Sequence, residues 1–216
     1  MLKGTDIEKL FKGINLEGAK GVSTTFRSFT PEPIEKHLID AVKRGAKDIA
    51  EVSMWQGKAV EVVPGELKTL YTFGLCGCQA TAIIAKGKNG NPIAIMTHFP
   101  PISLDANLSE INRLVRQNAH LIDDTVKPKV AYVLPGQWAT IDGKYAMDTK
   151  DKTLLEKLKK CVQAKFPQGV EETVLPYNEC KTFGQSSAFV IDFPSTKGKP
   201  INYQACGEHY GNFGEL

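Results

Sequence analysis

Two β-rich runs, Gln79–Lys86 (QATAIIAK) and Pro92–Phe99 (PIAIMTHF), flank the turn-forming stretch Gly87-Lys88-Asn89-Gly90. Apolar runs of this length, bounded by turn residues, predict an antiparallel hairpin. A hairpin brings the start of one strand to the end of the other, and here those places hold Cys78 and His98. If the loop is centred on Lys88, facing residue numbers sum to about 176 and Cys78 stands opposite His98. Facing Cα atoms in such a pair lie roughly 4.5–5.5 Å apart and their side chains share a face. A two-residue type I′ turn at Asn89-Gly90 is the alternative register, and it moves Cys78 toward Pro101. Both registers are open from the sequence.

The 216 residues suit one domain spanning 1–216, and a core of that size needs no disulfide or metal staple. Thr5-x-x-Glu8 reads as a capping box before Ile7, Leu10 and Phe11, and Thr30-Pro31 opens a second helix running to about Lys43. Lys58–Val63 and Leu67–Phe73 read as strands around a Pro64-Gly65 turn. Helices are expected over Leu104–Asp123 and Lys152–Lys165, and strands over Val130–Leu134, Val170–Leu175 and Ala188–Phe193. The tail, Asn202–Leu216, carries no assignment. Strands in adjacent groups, with helices before, between and after, favour mixed α and β layers over βαβ alternation.

Lys and Arg number 27 against 24 Asp and Glu, a net charge of +3 without a basic run, which argues against nucleic acid as partner. No stretch approaches the roughly 20 apolar residues of a membrane helix, and the charged N-terminus has no secretory h-region. Walker, dinucleotide-binding, HExxH and GxSxG signatures are absent.

Five cysteines, an odd number, point to reduced thiols. A thiol and an imidazole on one face can exchange a proton. An imidazolium would hold Cys78 as thiolate near neutral pH. Gly77 permits close approach of backbone to substrate, and amides near Gly77 and Cys78 could line an oxyanion hole. The plainer reading is a buried structural cysteine beside a surface histidine. Regular strand alternation would put Cys76 on the same face as Cys78. Cys206-x-x-His209 has metal-ligand spacing and, with Cys76, Cys78 and His98, is a weak zinc candidate. His120 reads as solvated, His37 as half-buried packing, Cys161 as inert core, and Trp55 and Trp138 as core or rim.

Thr72-x5-Cys78, within Leu75-Cys-Gly-Cys78, followed by a hairpin to His98-Phe-Pro-Pro101, resembles the bacterial protein-glutamine deamidase superfamily. That group includes chemoreceptor glutamine deamidases, the cytotoxic necrotizing factor catalytic domain and a single-domain lethal factor. The motif covers residues 71–101. The Thr spacing selects Cys78 over Cys76, which stands where the family carries Ser or Gly; Cys76 remains the minor alternative as nucleophile.

The resemblance implies an α+β fold, with a mixed or antiparallel β-sandwich core flanked by α-helices. It implies a cysteine-dependent deamidase converting a protein glutamine to glutamate, with Cys78 as nucleophile, His98 as acid and base, Thr72 as orienting residue and Gly77 as oxyanion support. No cofactor and no metal are implied. The expected partner is a target protein, with no nucleic acid and no membrane, and the enzyme is expected as a monomer. The expected setting is cytoplasmic, or a host cytosol reached without an N-terminal signal, as for an effector or toxin. Two other readings stand beside it: a zinc-dependent purine-nucleoside-processing hydrolase on a related Cys/His fold, and a non-catalytic partner-binding relative. The first usually carries His-Ala-Gly-Trp where this chain has His-Phe-Pro-Pro.

Overall fold

The computed structural model describes residues 38, 46–141, 144–178, 188–206 and 209–215. The first expected helix, the second apart from Leu38, His37 and Cys180 lie outside these residues. In chain order the elements are β1 (Ile49–Glu51), β2 (Gln56–Glu61), β3 (Thr69–Thr72), β4 (Gln79–Lys86) and β5 (Pro92–Phe99). A 3₁₀ turn (Pro101–Ser103), α1 (Leu104–Asn118), β6 (Lys129–Ile141), β7 (Lys144–Thr149), α2 (Lys152–Gln163) and β8 (Glu171–Asn178) follow. β9 (Phe189–Asp192), β10 (Asn202–Ala205) and β11 (His209–Asn212) complete the order.

These strands form two sheets. The first runs β1-β3-β9-β10-β11, and the second runs β2-β5-β4-β6-β7 with β8 parallel to β6. Side chains alternate between the faces of each strand. Leu70, Phe189 and Ile191 of the first sheet therefore meet Ala82, Ile84, Met96 and Tyr177 of the second in a sandwich core. The opposite face of the second sheet presents Ile83, Ile95, Val130 and Tyr132 to Ile111 and Leu114 of α1 and Leu155 and Leu158 of α2. Tyr71 and Val190, on the outer face of the first sheet, pack with Leu38. The fold is α+β, with a sandwich of mixed and antiparallel sheets and helices on the second sheet, as expected. β4 and β5 are covered on both faces, which is why they read as nearly unbroken apolar runs. Among the described residues no helix is long and apolar enough to cross a membrane.

Both hairpin strands have the expected bounds, but the register is neither of the two anticipated. Facing residues run from Gln79 with Phe99 to Lys86 with Pro92, so the loop is centred on Asn89. Gly90 N–H donates to the Gly87 carbonyl and Gly87 N–H to the Asn91 carbonyl, and Gly90 has φ +81°. That is a three-residue loop whose turn ends in a left-handed glycine, with Asn89 Oδ1 accepting the Asn91 N–H.

Other boundaries differ for local reasons. The helix expected to reach Asp123 stops at Asn118, whose carbonyl accepts from the Leu121 N–H. Ile122 keeps its burial by bridging to Gly87 at the hairpin tip. The expected strand Val130–Leu134 runs on through Pro135-Gly136 because its second half pairs with β7. The unassigned tail supplies β10 and β11.

Candidate functional site

Two connections cross from the first sheet to the second. Val52–Trp55 joins β1 to β2, and Phe73–Cys78 joins β3 to β4. Thr72, Cys78 and His98 lie between these crossings. Thr72 shares the inward face of β3 with Leu70, and His98 shares the inward face of β5 with Met96.

Thr72 and His98 are both fully buried, and Thr72 Oγ1 lies 2.7 Å from His98 Nδ1. Thr72 Oγ1 also donates to the Val52 carbonyl at 2.5 Å. A hydroxyl has one proton and a carbonyl cannot donate, so that proton is committed to Val52. Thr72 must then accept from His98 Nδ1–H. The neutral ring is thereby fixed as the Nδ1–H tautomer, and Nε2 keeps its lone pair. Nε2 is buried and has no hydrogen-bond partner among the described residues. Burial lowers the His98 pKa to about 4, so the ring is neutral at pH 7.

Cys78 is 6 % exposed and faces the same interior. The observed register pairs His98 with Ala80, not Cys78. Cys78 precedes β4 by one residue, so the register does not set the thiol directly opposite the imidazole. The thiol does not hydrogen-bond to Nε2; it donates to Met54 Sδ at 3.7 Å. Burial and the nearby Cys76 thiol raise the Cys78 pKa. The expected resting thiolate–imidazolium pair is therefore corrected to a neutral thiol beside a neutral base. Desolvation penalises both charges, and no formed contact offsets it.

Two further expectations are revised. Residues 73–78 do not form a regular strand; Gly74 and Gly77 have φ +77° and +85°. These turns expose Cys76 while Cys78 is buried, so the two do not share a face. The Gly77 N–H is taken by the Leu75 carbonyl at 3.1 Å, so Gly77 serves as a left-handed turn rather than a free oxyanion donor. Cavities of about 500 and 240 Å³ lie elsewhere, around Asn112 and Arg116 and around Pro64 and Lys197.

Sequence reasoning missed three contributors. Val52 provides the carbonyl that sets the Thr72 hydroxyl, Met54 covers the thiol, and Tyr177 Oη donates to the Cys78 carbonyl at 2.7 Å. The strand expected over Val170–Leu175 runs instead over Glu171–Asn178 and carries Tyr177 inward. His209 Nε2 donates to the Pro176 carbonyl at 2.7 Å. Among the described residues no group of three or more His, Cys, Asp or Glu is placed to hold a metal. Trp55 is half exposed at the rim, its ring edge-on to Phe99. His120 is exposed, and Cys161 is half-buried near the Leu108 carbonyl. No protein-family model matches this chain, and no curated protein matches it.

Proposed function

We propose that the chain is a cysteine-dependent protein-glutamine deamidase, with Cys78 as nucleophile, His98 as acid and base, and Thr72 as positioning residue. The observation that carries the reading is the chain of bonds from His98 Nδ1–H to Thr72 to the Val52 carbonyl, which leaves Nε2 as a buried base, unpartnered among the described residues, facing the same interior as Cys78. A structural histidine in a core has no need of a free lone pair, and leaving one unpaired costs stability.

The chemistry starts from neutral groups. Nε2 takes the thiol proton as Sγ bonds to the carboxamide carbon of the substrate glutamine. The C–N bond then breaks, and His98 delivers that proton to the departing ammonia. Water attacks the thioester, giving its proton to Nε2. The S–C bond breaks, the thiol is re-protonated, and the products are glutamate and ammonia. The Tyr177 bond to the Cys78 carbonyl holds the nucleophile's backbone during both steps. The product carries a new negative charge and lacks an amide donor, which is enough to alter a target's interface. The partner in this reading is a target protein, met as a bacterial effector or toxin would meet it in a host cytosol. The motif fits the deamidases better than the purine-nucleoside hydrolases, and the intact Thr72–His98 pairing weighs against a non-catalytic relative.

The test is mass spectrometry of bacterial and host lysates treated with wild type or Cys78→Ala. Glutamine-to-glutamate conversion at defined sites with wild type alone is expected. Equal conversion with Cys78→Ala, or none with either, refutes the assignment.

A further inference from the structure

The segment Val52–Trp55 touches every member of the site. Val52 accepts from Thr72, Met54 Sδ lies 3.7 Å from Cys78 Sγ, and Trp55 N–H donates to the His98 carbonyl at 2.8 Å. Met54 is 48 % exposed over a thiol that is 6 % exposed, so its side chain reaches inward from the surface to the sulfur. Trp55 has φ +68°, a left-handed conformation that a bulky side chain rarely adopts. Strain of this kind persists only where surrounding contacts hold it, and it collects at segments that move.

The geometry points to Met54 as an internal plug that occupies the place of the substrate's glutamine side chain. Methionine and glutamine share an unbranched Cβ–Cγ stem. The third side-chain atom is Sδ in one and the scissile carboxamide carbon Cδ in the other. An Sδ at 3.7 Å from the nucleophilic sulfur therefore stands close to where Cδ must stand, given reacting atoms roughly 3–3.5 Å apart. An asparagine entering along the same path brings its amide carbon about 1.5 Å short, one bond length. The slot thus selects glutamine over asparagine, and the substrate must lift the strap to enter. That Met54 covers the thiol stands on geometry alone. That the slot takes glutamine rests on the deamidase reading.

The test follows alkylation of Cys78 by iodoacetamide, read by peptide mass spectrometry in a Cys76→Ser background. Met54→Ala is expected to raise the rate about tenfold or more, while Met54→Leu, which keeps the bulk, stays near the unsubstituted rate. An unchanged rate in Met54→Ala, with the fold intact by circular dichroism, overturns the plug. A second variant, Met54→Gln, places a carboxamide at the thiol. Its conversion to the acid, lost when Cys78→Ala is added, supports the slot. If the amide stays intact while wild type deamidates lysate proteins, the mimicry is overturned and the deamidase reading survives. If Met54→Ala is alkylated fast and no glutamine is converted anywhere, the plug survives and the deamidase reading fails.

Discussion

Replacing Thr72 by valine removes one hydroxyl and almost no volume. Two buried groups lose their partner at once: the His98 Nδ1–H and the Val52 carbonyl. Each buried polar group left unpaired costs about 1–3 kcal/mol, so the variant should lose roughly 2–6 kcal/mol. At about 2–4 °C per kcal/mol for a chain of this size, Tm should fall by roughly 4–24 °C. Thr72→Ser keeps the hydroxyl and loses one methyl, at a cost of about 1 kcal/mol. Stability alone does not separate a positioning role from a packing one, so the deciding measurement is the imidazole tautomer. ¹⁵N shifts of His98 should report Nδ1–H in wild type and Thr72→Ser, and a mixture or the Nε2–H form in Thr72→Val. On the deamidase reading, activity should fall about 10²–10⁴-fold in Thr72→Val, because Nε2 is no longer fixed as the nitrogen that bears the lone pair, and largely survive in Thr72→Ser. A Thr72→Val protein that keeps a pure Nδ1–H ring would refute the reasoning, whatever its Tm.

Tyr177→Phe should cost about 1–2 kcal/mol in urea denaturation and lower kcat, because the Cys78 carbonyl loses its donor; unchanged kcat would remove Tyr177 from the site. Gly57→Ala should destabilise by about 1–3 kcal/mol, since its Cβ would come within 2.6 Å of Leu114 Cδ1 on α1; a neutral result would mean that α1 shifts freely on β2. His98 is held neutral in the folded state to about pH 4, against an ordinary 6.5, so the unfolded chain gains this proton first. The resulting stability is complete above pH 6.5 and lost as pH falls toward 4, by roughly 2–3 kcal/mol after allowance for solvent screening. His98→Gln should lack that part of the acid slope in denaturation curves, and identical slopes would contradict it.

The hairpin strands and the inward face of the site were legible in the sequence because their apolar runs stop sharply at turn residues. The register was not. Whether the loop closes through Lys88-Asn89-Gly90 or Asn89-Gly90 depends on one hydrogen bond, Gly87 N–H to Asn91, and on the left-handed Gly90. Side-chain direction survived because the anticipated centre at Lys88 and the observed centre at Asn89 are a whole residue apart, which moves each strand's partner by two and preserves the face. A two-residue turn would have turned His98 away from Thr72. Val52, Met54 and Tyr177 were invisible for another reason. Their positions follow from which sheet each strand joins, and local pattern does not encode that.

The same topology explains why a polar pair can sit in an apolar sandwich. A histidine facing a sandwich core must find a partner for its Nδ1–H, and no strand of its own sheet provides one here. The partner comes from β3 of the other sheet, and its hydroxyl is in turn satisfied by the crossing that leaves β1. Three segments must therefore be in place before the ring is oriented: the end of β3, the end of β5 and the Val52–Trp55 crossing. The last of these also carries Met54. Any event that draws Met54 off the thiol acts on the segment that supplies the Val52 carbonyl, two residues away. Uncovering the Cys78 thiol and releasing the Thr72 hydroxyl are thus coupled through one short stretch of chain. That coupling is avoided only if the Met54 side chain swings off the thiol while Val52 and the Trp55 N–H keep their bonds. The proposed deamidase reading requires this. Val52 is buried in the sandwich core, 1 % exposed, with its N–H bonded to the Tyr71 carbonyl at 2.8 Å, whereas Met54 and Trp55 are half exposed. If Met54 is displaced as inferred, the change must be taken up at Ser53, between the anchored Val52 and the Trp55 N–H bonded to the His98 carbonyl.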